Sequence, residues 1–133
     1  MNYFLDTDVC IYALKDKFPS VKQWIQKLSP ERIKIPSIVK AELLLGVFKS
    51  EFPKKNLLIV ESFLEPFEII PFDEKCAVEY AQIRYLLESK GKMIGPNDLI
   101  IAAIVLSSHG TLITHNKDEF RRVINLKIQD WCE

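Results

Sequence analysis

The chain has 133 residues, 48 % of them hydrophobic, and its 18 basic residues balance its 18 acidic ones. That length suits one domain, residues 1–133, and that apolar content excludes a disordered chain. A zero net charge argues against nucleic-acid binding by bulk positive charge and leaves only local patches, Lys49, Lys54 and Lys55 in one group and Arg121, Arg122 and Lys127 in another.

In chain order, Asn2–Asp6 reads as a short buried strand, followed by a helix that Thr7 or Asp8 caps. Pro19-Ser20 opens a second helix through Leu28, with Val21, Trp24, Ile25 and Leu28 at helical spacing. Arg32–Pro36 is a strand, and Ser37 caps a helix to Lys49. Lys54–Leu64 is a further helix and Phe67–Phe72 a third strand. Asp73 caps a long helix to Lys90, closed by Gly91. Pro96 starts a helix to Ser108 that stops at Gly110, with proline inside the start and glycine past the end. Thr111–Thr114 is a fourth strand. Asn116 and Glu119 stand as N-cap and N3 of a short helix to Val123, and Leu126–Gln129 is a last edge strand. Strands alternating with helices predict an α/β fold, a mainly parallel central sheet with helices on both faces.

No apolar run is long enough to cross a bilayer, and the N-terminus lacks a basic region followed by a cleavage site. The three cysteines, Cys10, Cys76 and Cys132, form no CxxC pair, which predicts a cytoplasmic protein in a reducing compartment. The two histidines, His109 and His115, are not at helical ligand spacing, so a zinc enzyme is not expected.

In a parallel sheet, functional groups gather beyond the carboxyl ends of the strands. Asp6 ends the first strand, Asn116 follows the fourth, and Asp98 lies in the first turn of the Pro96 helix. Glu42 interrupts a helix that is apolar over most of its circumference. Each has a bland explanation. Asp6 and Asp8 can cap, Asp98 complements a helix dipole, Glu42 can share a solvent stripe with Lys49, and Asn116 and Glu119 can be a capping pair. Together they say more. Clustered carboxylates repel unless a cation compensates, and hard oxygens without His or Cys suit Mg²⁺ or Mn²⁺. Such a site suits phosphodiester chemistry.

The blocks Leu5-Asp6-Thr7-Asp8-Val9-Cys10-Ile11-Tyr12, Ala41-Glu42-Leu43, Gly95-Pro96-Asn97-Asp98 and Thr114-His115-Asn116-Lys117-Asp118-Glu119-Phe120, closing on Asp130-Trp131, resemble the VapC branch of the PIN-domain ribonucleases. The resemblance covers essentially the whole chain, and the acids are spaced by 36 (42−6), 56 (98−42) and 18 (116−98) residues. It implies a Mg²⁺-dependent endoribonuclease toxin, with Mn²⁺ able to substitute, acting on structured RNA including tRNA. It also implies a homodimer held inactive by a VapB-type antitoxin, through which alone it would meet DNA. Carried over by position, Asp6, Glu42 and Asp98 are the acidic cluster, with Asp6 and Asp98 the direct metal ligands. Asn116 is the fourth active-site position and Glu119 an acid that supports it. Position 8 is Asp where Asn is usual, and His115 replaces another frequent Asn.

The resemblance implies in-line attack by water, leaving 5′-phosphate and 3′-hydroxyl ends, with Thr114 assisting. Lys49, Lys54, Lys55 and Arg84 are the cations expected near the groove, and Leu57–Leu64 and Val78–Leu87 supply a dimer face and an antitoxin groove. The rivals are a catalytically inert PIN-like module that binds RNA or protein, a DNA nuclease with the same acids, and a phosphoacceptor receiver. The receiver would need a lysine ending the fourth strand, which is absent.

Overall fold

Five short strands form one parallel sheet in the computed structural model, which describes residues 1–133. They are Tyr3–Leu5 (β1), Ile33–Pro36 (β2), Glu68–Ile70 (β3), Thr111–Ile113 (β4) and Lys127–Gln129 (β5). Their order is β3-β2-β1-β4-β5, with Phe4 paired to Lys34 on one side and Leu112 on the other. Consecutive residues Phe4-Leu5 and Leu112-Ile113 are fully buried. Burial on both sides of the pleat means that both faces of the sheet are covered, as a parallel sheet requires.

The helices are Thr7–Lys15 (α1), Pro19–Lys27 (α2), Ser37–Lys49 (α3), Pro53–Leu64 (α4), Glu74–Ser89 (α5), Pro96–Ser107 (α6) and Lys117–Phe120 (α7). The predicted α/β class and parallel sheet hold. In α6, Leu99 and the run from Ile101 to Val105 are buried, so this helix is apolar nearly all round because it lies inside the molecule. No helix is long and apolar enough to cross a membrane.

Several local expectations are corrected. Of the three residues read as caps for α1, Asp6 takes the position and Thr7 and Asp8 do not: β1 ends at Leu5, so Asp6 is the extended residue whose carboxylate accepts from Val9 N at 2.9 Å. Pro36 occupies the cap position of α3 and Ser37 is already helical. Arg32 belongs to a 3₁₀ turn opened by Pro30 rather than to β2. Strand β3 is three residues, because as an edge strand it pairs only with Lys34, Ile35 and Pro36 and then meets Pro71, which has no N–H. Asp73 does cap α5, accepting from Cys76 N at 3.1 Å, and Gly91 does take the left-handed backbone at φ +63°.

Gly110 is glycine for a different reason than the one expected. The left-handed residue after α6 is His109, at φ 54°. A Cβ on Gly110 would lie 2.4 Å from Phe4 Cε1, so the missing side chain admits the β1 aromatic.

Candidate active site

The chain builds β1, β2 and β3 outward in one direction, then returns to place β4 on the other side of β1. A crevice opens where the order reverses, beyond the carboxyl ends of β1 and β4. Asp6 follows β1 and Thr114 follows β4, so both stand at its floor. Asp6 is 5 % exposed and Thr114 fully buried. The Thr114 hydroxyl stands near the Asp6 carboxylate and accepts from Asn116 N at 3.0 Å.

Glu42 reaches the crevice from the second turn of α3. The Thr7 hydroxyl donates to its Oε1 at 2.5 Å and Asn97 Nδ2 to its Oε2 at 3.2 Å. Both of its oxygens are therefore held by the first turns of α1 and α6, which rules out the solvent-stripe reading with Lys49. Asp98 enters from the first turn of α6. Glu119, on α7, accepts from Gly95 N at 2.7 Å through Oε1 and from Asn116 Nδ2 at 2.7 Å through Oε2. Asn116 and Glu119 do stand as N-cap and N3 of α7, but the Asn116 side chain binds Glu119 rather than a backbone N–H, and the helix ends at Phe120 rather than Val123. Asp8 is exposed, and its charge still acts on Asp6.

Crowding of the carboxylates shows in their acidities. Burial first, then the charges of Asp8 and Glu42, push Asp6 up to about 6 against the pull of hydrogen bonds from Thr114 and Val9. Burial, the carboxyl of Glu119, and the charges of Asp6 and Glu42 push Asp98 up to about 7. Burial also acts to raise Glu119, but the Gly95 N–H, Asn116, Asp98 and the Arg122 charge hold it below its ordinary value.

Asp6, Glu42 and Asp98 approach from the end of β1, from α3 and from α6, near enough that the charges of Asp6 and Glu42 act on Asp98 and that of Glu42 on Asp6. An open, all-oxygen donor set fits an ion such as Mg²⁺ that keeps several of its waters and takes one or two carboxylates. The residues that sequence reasoning passed over are Thr7 and Asn97, the partners of Glu42. Their only signal was a polar side chain in the first turn of an apolar helix.

The expected cations are placed differently. Arg84 is engaged by Glu88 and Tyr80, both at 2.8 Å, on α5. Lys49, Lys54 and Lys55 are exposed and make no ion pair. Arg122 acts on Glu119, and Lys15 lines a 410 Å³ groove that runs among α1, α3 and α4 to Glu42. Its walls include Ile11, Leu14, Leu43, Val47 and Val60.

Residues 3–126 match the PIN domain family. The chain is 41 % identical to a protein named ribonuclease VapC2 of Rickettsia felis, over 98 % of both chains. It is 36 % identical to a protein named tRNA(fMet)-specific endonuclease VapC of Salmonella typhimurium, over 99 % of both. Its structure is similar to that of VapBC2 from Rickettsia felis bound to a promoter DNA fragment (TM-score 0.93, 40 % identity, 98 % of this chain and 99 % of that one). It is equally similar to DNA-bound VapBC from Salmonella typhimurium (TM-score 0.94, 35 % identity, 99 % of both).

Proposed function

The chain belongs to the VapC-type PIN-domain ribonucleases, the toxins of toxin–antitoxin pairs, and from that premise we propose that it is a Mg²⁺-dependent endonuclease of structured RNA. Asp6, Glu42 and Asp98 would hold the ion, with Mn²⁺ able to replace it. The observation that carries this reading is the convergence of three carboxylates from β1, α3 and α6 on one crevice, where two of them stand far above their ordinary pKa. Crowding of this kind favours a bound cation.

When bound, the ion supplies positive charge against the scissile phosphate and acidifies water. The rest falls to the chain. Thr7 and Asn97 fix the Glu42 carboxylate so that it can orient an attacking water. Water oxygen attacks phosphorus, the bond to the 3′ oxygen breaks, and that oxygen leaves with a proton, giving 5′-phosphate and 3′-hydroxyl ends. Asn116 has its Nδ2 engaged by Glu119, which leaves its Oδ1 to face a water or ribose hydroxyl. Thr114 and Glu119 act as positioning residues through Asp6 and Asn116.

The name of the Salmonella relative makes initiator tRNA the first substrate to try. The apolar groove that ends at Glu42 would receive the VapB-type antitoxin, because an occupant there covers the acids directly. DNA would be met only through that antitoxin, in keeping with the DNA-bound complexes of the relatives. Exposed Val78, Tyr85 and Leu86 on α5 offer a face for a second copy in a homodimer.

The test is incubation of total cellular RNA with purified protein, with Mg²⁺ or EDTA, beside Asp98→Asn. Discrete fragments that need Mg²⁺ and vanish in the variant are expected. Ends carrying 2′,3′-cyclic phosphate, or cutting that persists in EDTA, would overturn the mechanism.

A further inference from the structure

A second set of ligating side chains is assembled by the loop after β4 and the segment after β5. His115, Asp130 and Cys132 each bring one ligand atom to within 4.8 Å of the other two. His115 Nδ1 lies 2.9 Å from Asp130 Oδ2, and Asp130 Oδ1 accepts from Cys132 N at 2.8 Å. The Asp130 side chain is 3 % exposed, whereas His115 is open to solvent. Trp131, between the two C-terminal ligands, is 1 % exposed, stacks on Trp24 with centroids 5.4 Å apart, and accepts from Ser20 Oγ at 2.6 Å through its carbonyl. The backbone of the segment is thus anchored before anything binds.

We propose that His115, Asp130 and Cys132 form a site for a borderline-soft divalent transition ion, Zn²⁺ foremost, separate from the carboxylate crevice. The donor set decides the ion. Nitrogen, oxygen and sulfur together suit Zn²⁺, whereas Mg²⁺ and Ca²⁺ demand oxygen. Bond lengths of about 2.0–2.3 Å put neighbouring ligand atoms of a tetrahedron roughly 3.3–3.8 Å apart. His115 Nδ1 and Asp130 Oδ2 already stand closer than that, and side-chain rotation at His115 and Cys132 sets the three atoms at those separations. The fourth position faces solvent and takes water.

Charge is matched as well. Binding breaks the S–H bond of Cys132, releases its proton to solvent and forms the metal–sulfur bond, so thiolate and Asp130 carboxylate together offset the ion. Lys117 Nζ, 3.4 Å from Asp130 Oδ2, also pairs with Glu133 and keeps that partner when the ion takes Asp130. Burial would raise Asp130, but hydrogen bonds from His115 and Cys132 N keep it below its ordinary value and ionised. Occupancy would tie the residues after β5 to the loop between Thr114 and Asn116.

The test uses the full chain with saturating Mg²⁺, so that the carboxylate crevice is not the site read. Co²⁺ is titrated as a spectroscopic probe and Zn²⁺ as its competitor. The expected result is one equivalent of Co²⁺ giving a thiolate-to-cobalt charge-transfer band that Zn²⁺ abolishes. The band should be absent in Cys132→Ser and unchanged in Asp98→Asn. His115→Asn should weaken Zn²⁺ binding by roughly tenfold or more, since even loss of a ligand's supporting partner costs about that much. In the unaltered chain Zn²⁺ should also slow alkylation of Cys132, the one cysteine not buried. Absence of the band, alkylation indifferent to Zn²⁺, or Zn²⁺ affinity unchanged in Cys132→Ser and His115→Asn would each overturn the site.

Discussion

Asp6 caps α1 with one oxygen, a contact worth about 1 kcal/mol, yet its charge sits in a nearly closed crevice beside two other acids. Its carboxyl ionises at about 6 in the folded chain against 3.8 for the ordinary group. A raised folded value means that the folded state binds more protons, so this contribution to stability is complete below about pH 4 and is lost as pH rises through 6. The gap corresponds to about 3 kcal/mol lost in the metal-free protein at neutral pH. Asp6→Asn keeps the capping oxygen and removes the charge. In EDTA at pH 8 it should melt at a higher temperature than the parent, and the advantage should vanish at pH 4. Equal melting at both pH values would show that Asp6 is not strained by its charge. The same shifts govern activity. If Asp6 and Asp98 hold Mg²⁺ as proposed, protons compete with the ion for them, so the Mg²⁺ concentration giving half-maximal cleavage should climb as pH falls from 7 to 6. A steady-state Mg²⁺ titration at several pH values checks this.

The two glycines at helix ends separate backbone conformation from close approach. Gly91 has φ +63° but no heavy atom within 4 Å of a built Cβ, so Gly91→Ala meets only backbone strain, about 1 kcal/mol. Gly110 has ordinary φ, but its Cβ would strike the Phe4 ring at 2.4 Å, and Phe4 is fully buried on the central strand. Gly110→Ala must displace that ring, so it should cost more than Gly91→Ala, on the order of 1–3 kcal/mol. Urea denaturation of both variants gives the order directly. Local chemistry announced one of these and hid the other. Gly91 closes a helix by a rule visible in the chain, whereas the Gly110–Phe4 contact exists only once β4 lies beside β1. The site divides similarly. Asp6, Glu42 and Asp98 could be picked out by type and surroundings and the Asn116–Glu119 pair by its spacing, but the bond from Gly95 N to Glu119 exists only once the start of α6 meets α7. The His115, Asp130 and Cys132 group was invisible for the same reason: β5 pairs with β4 and brings separated residues together.

At the scale of the whole molecule, an electrically neutral protein must hold a polyanion over a crevice lined with acids. Counterion release requires cations placed where the phosphates run, so local position counts and net charge does not. The sequence pointed to Lys49, Lys54, Lys55 and Arg84, but Arg84 is spent on Glu88 and Tyr80, and the lysines make no contact with the acids. The fold offers Lys15, exposed at the groove that ends on Glu42, and Arg122, whose charge acts on Glu119. Lys15 is the cleaner probe, because Arg122 also donates to Met93 O at 2.9 Å and its loss would disturb the approach to α6. Lys15→Ala should leave the melting temperature unchanged, lower cleavage of an RNA substrate at moderate salt, and flatten the slope of log kcat/KM against log salt by about 0.7, the share of one phosphate contact on a single strand. Alanine at Lys49 should leave that slope alone. Should Lys49→Ala flatten the slope and Lys15→Ala not, the RNA would enter along the end of α3, and the groove beside Lys15 would be left to the antitoxin alone.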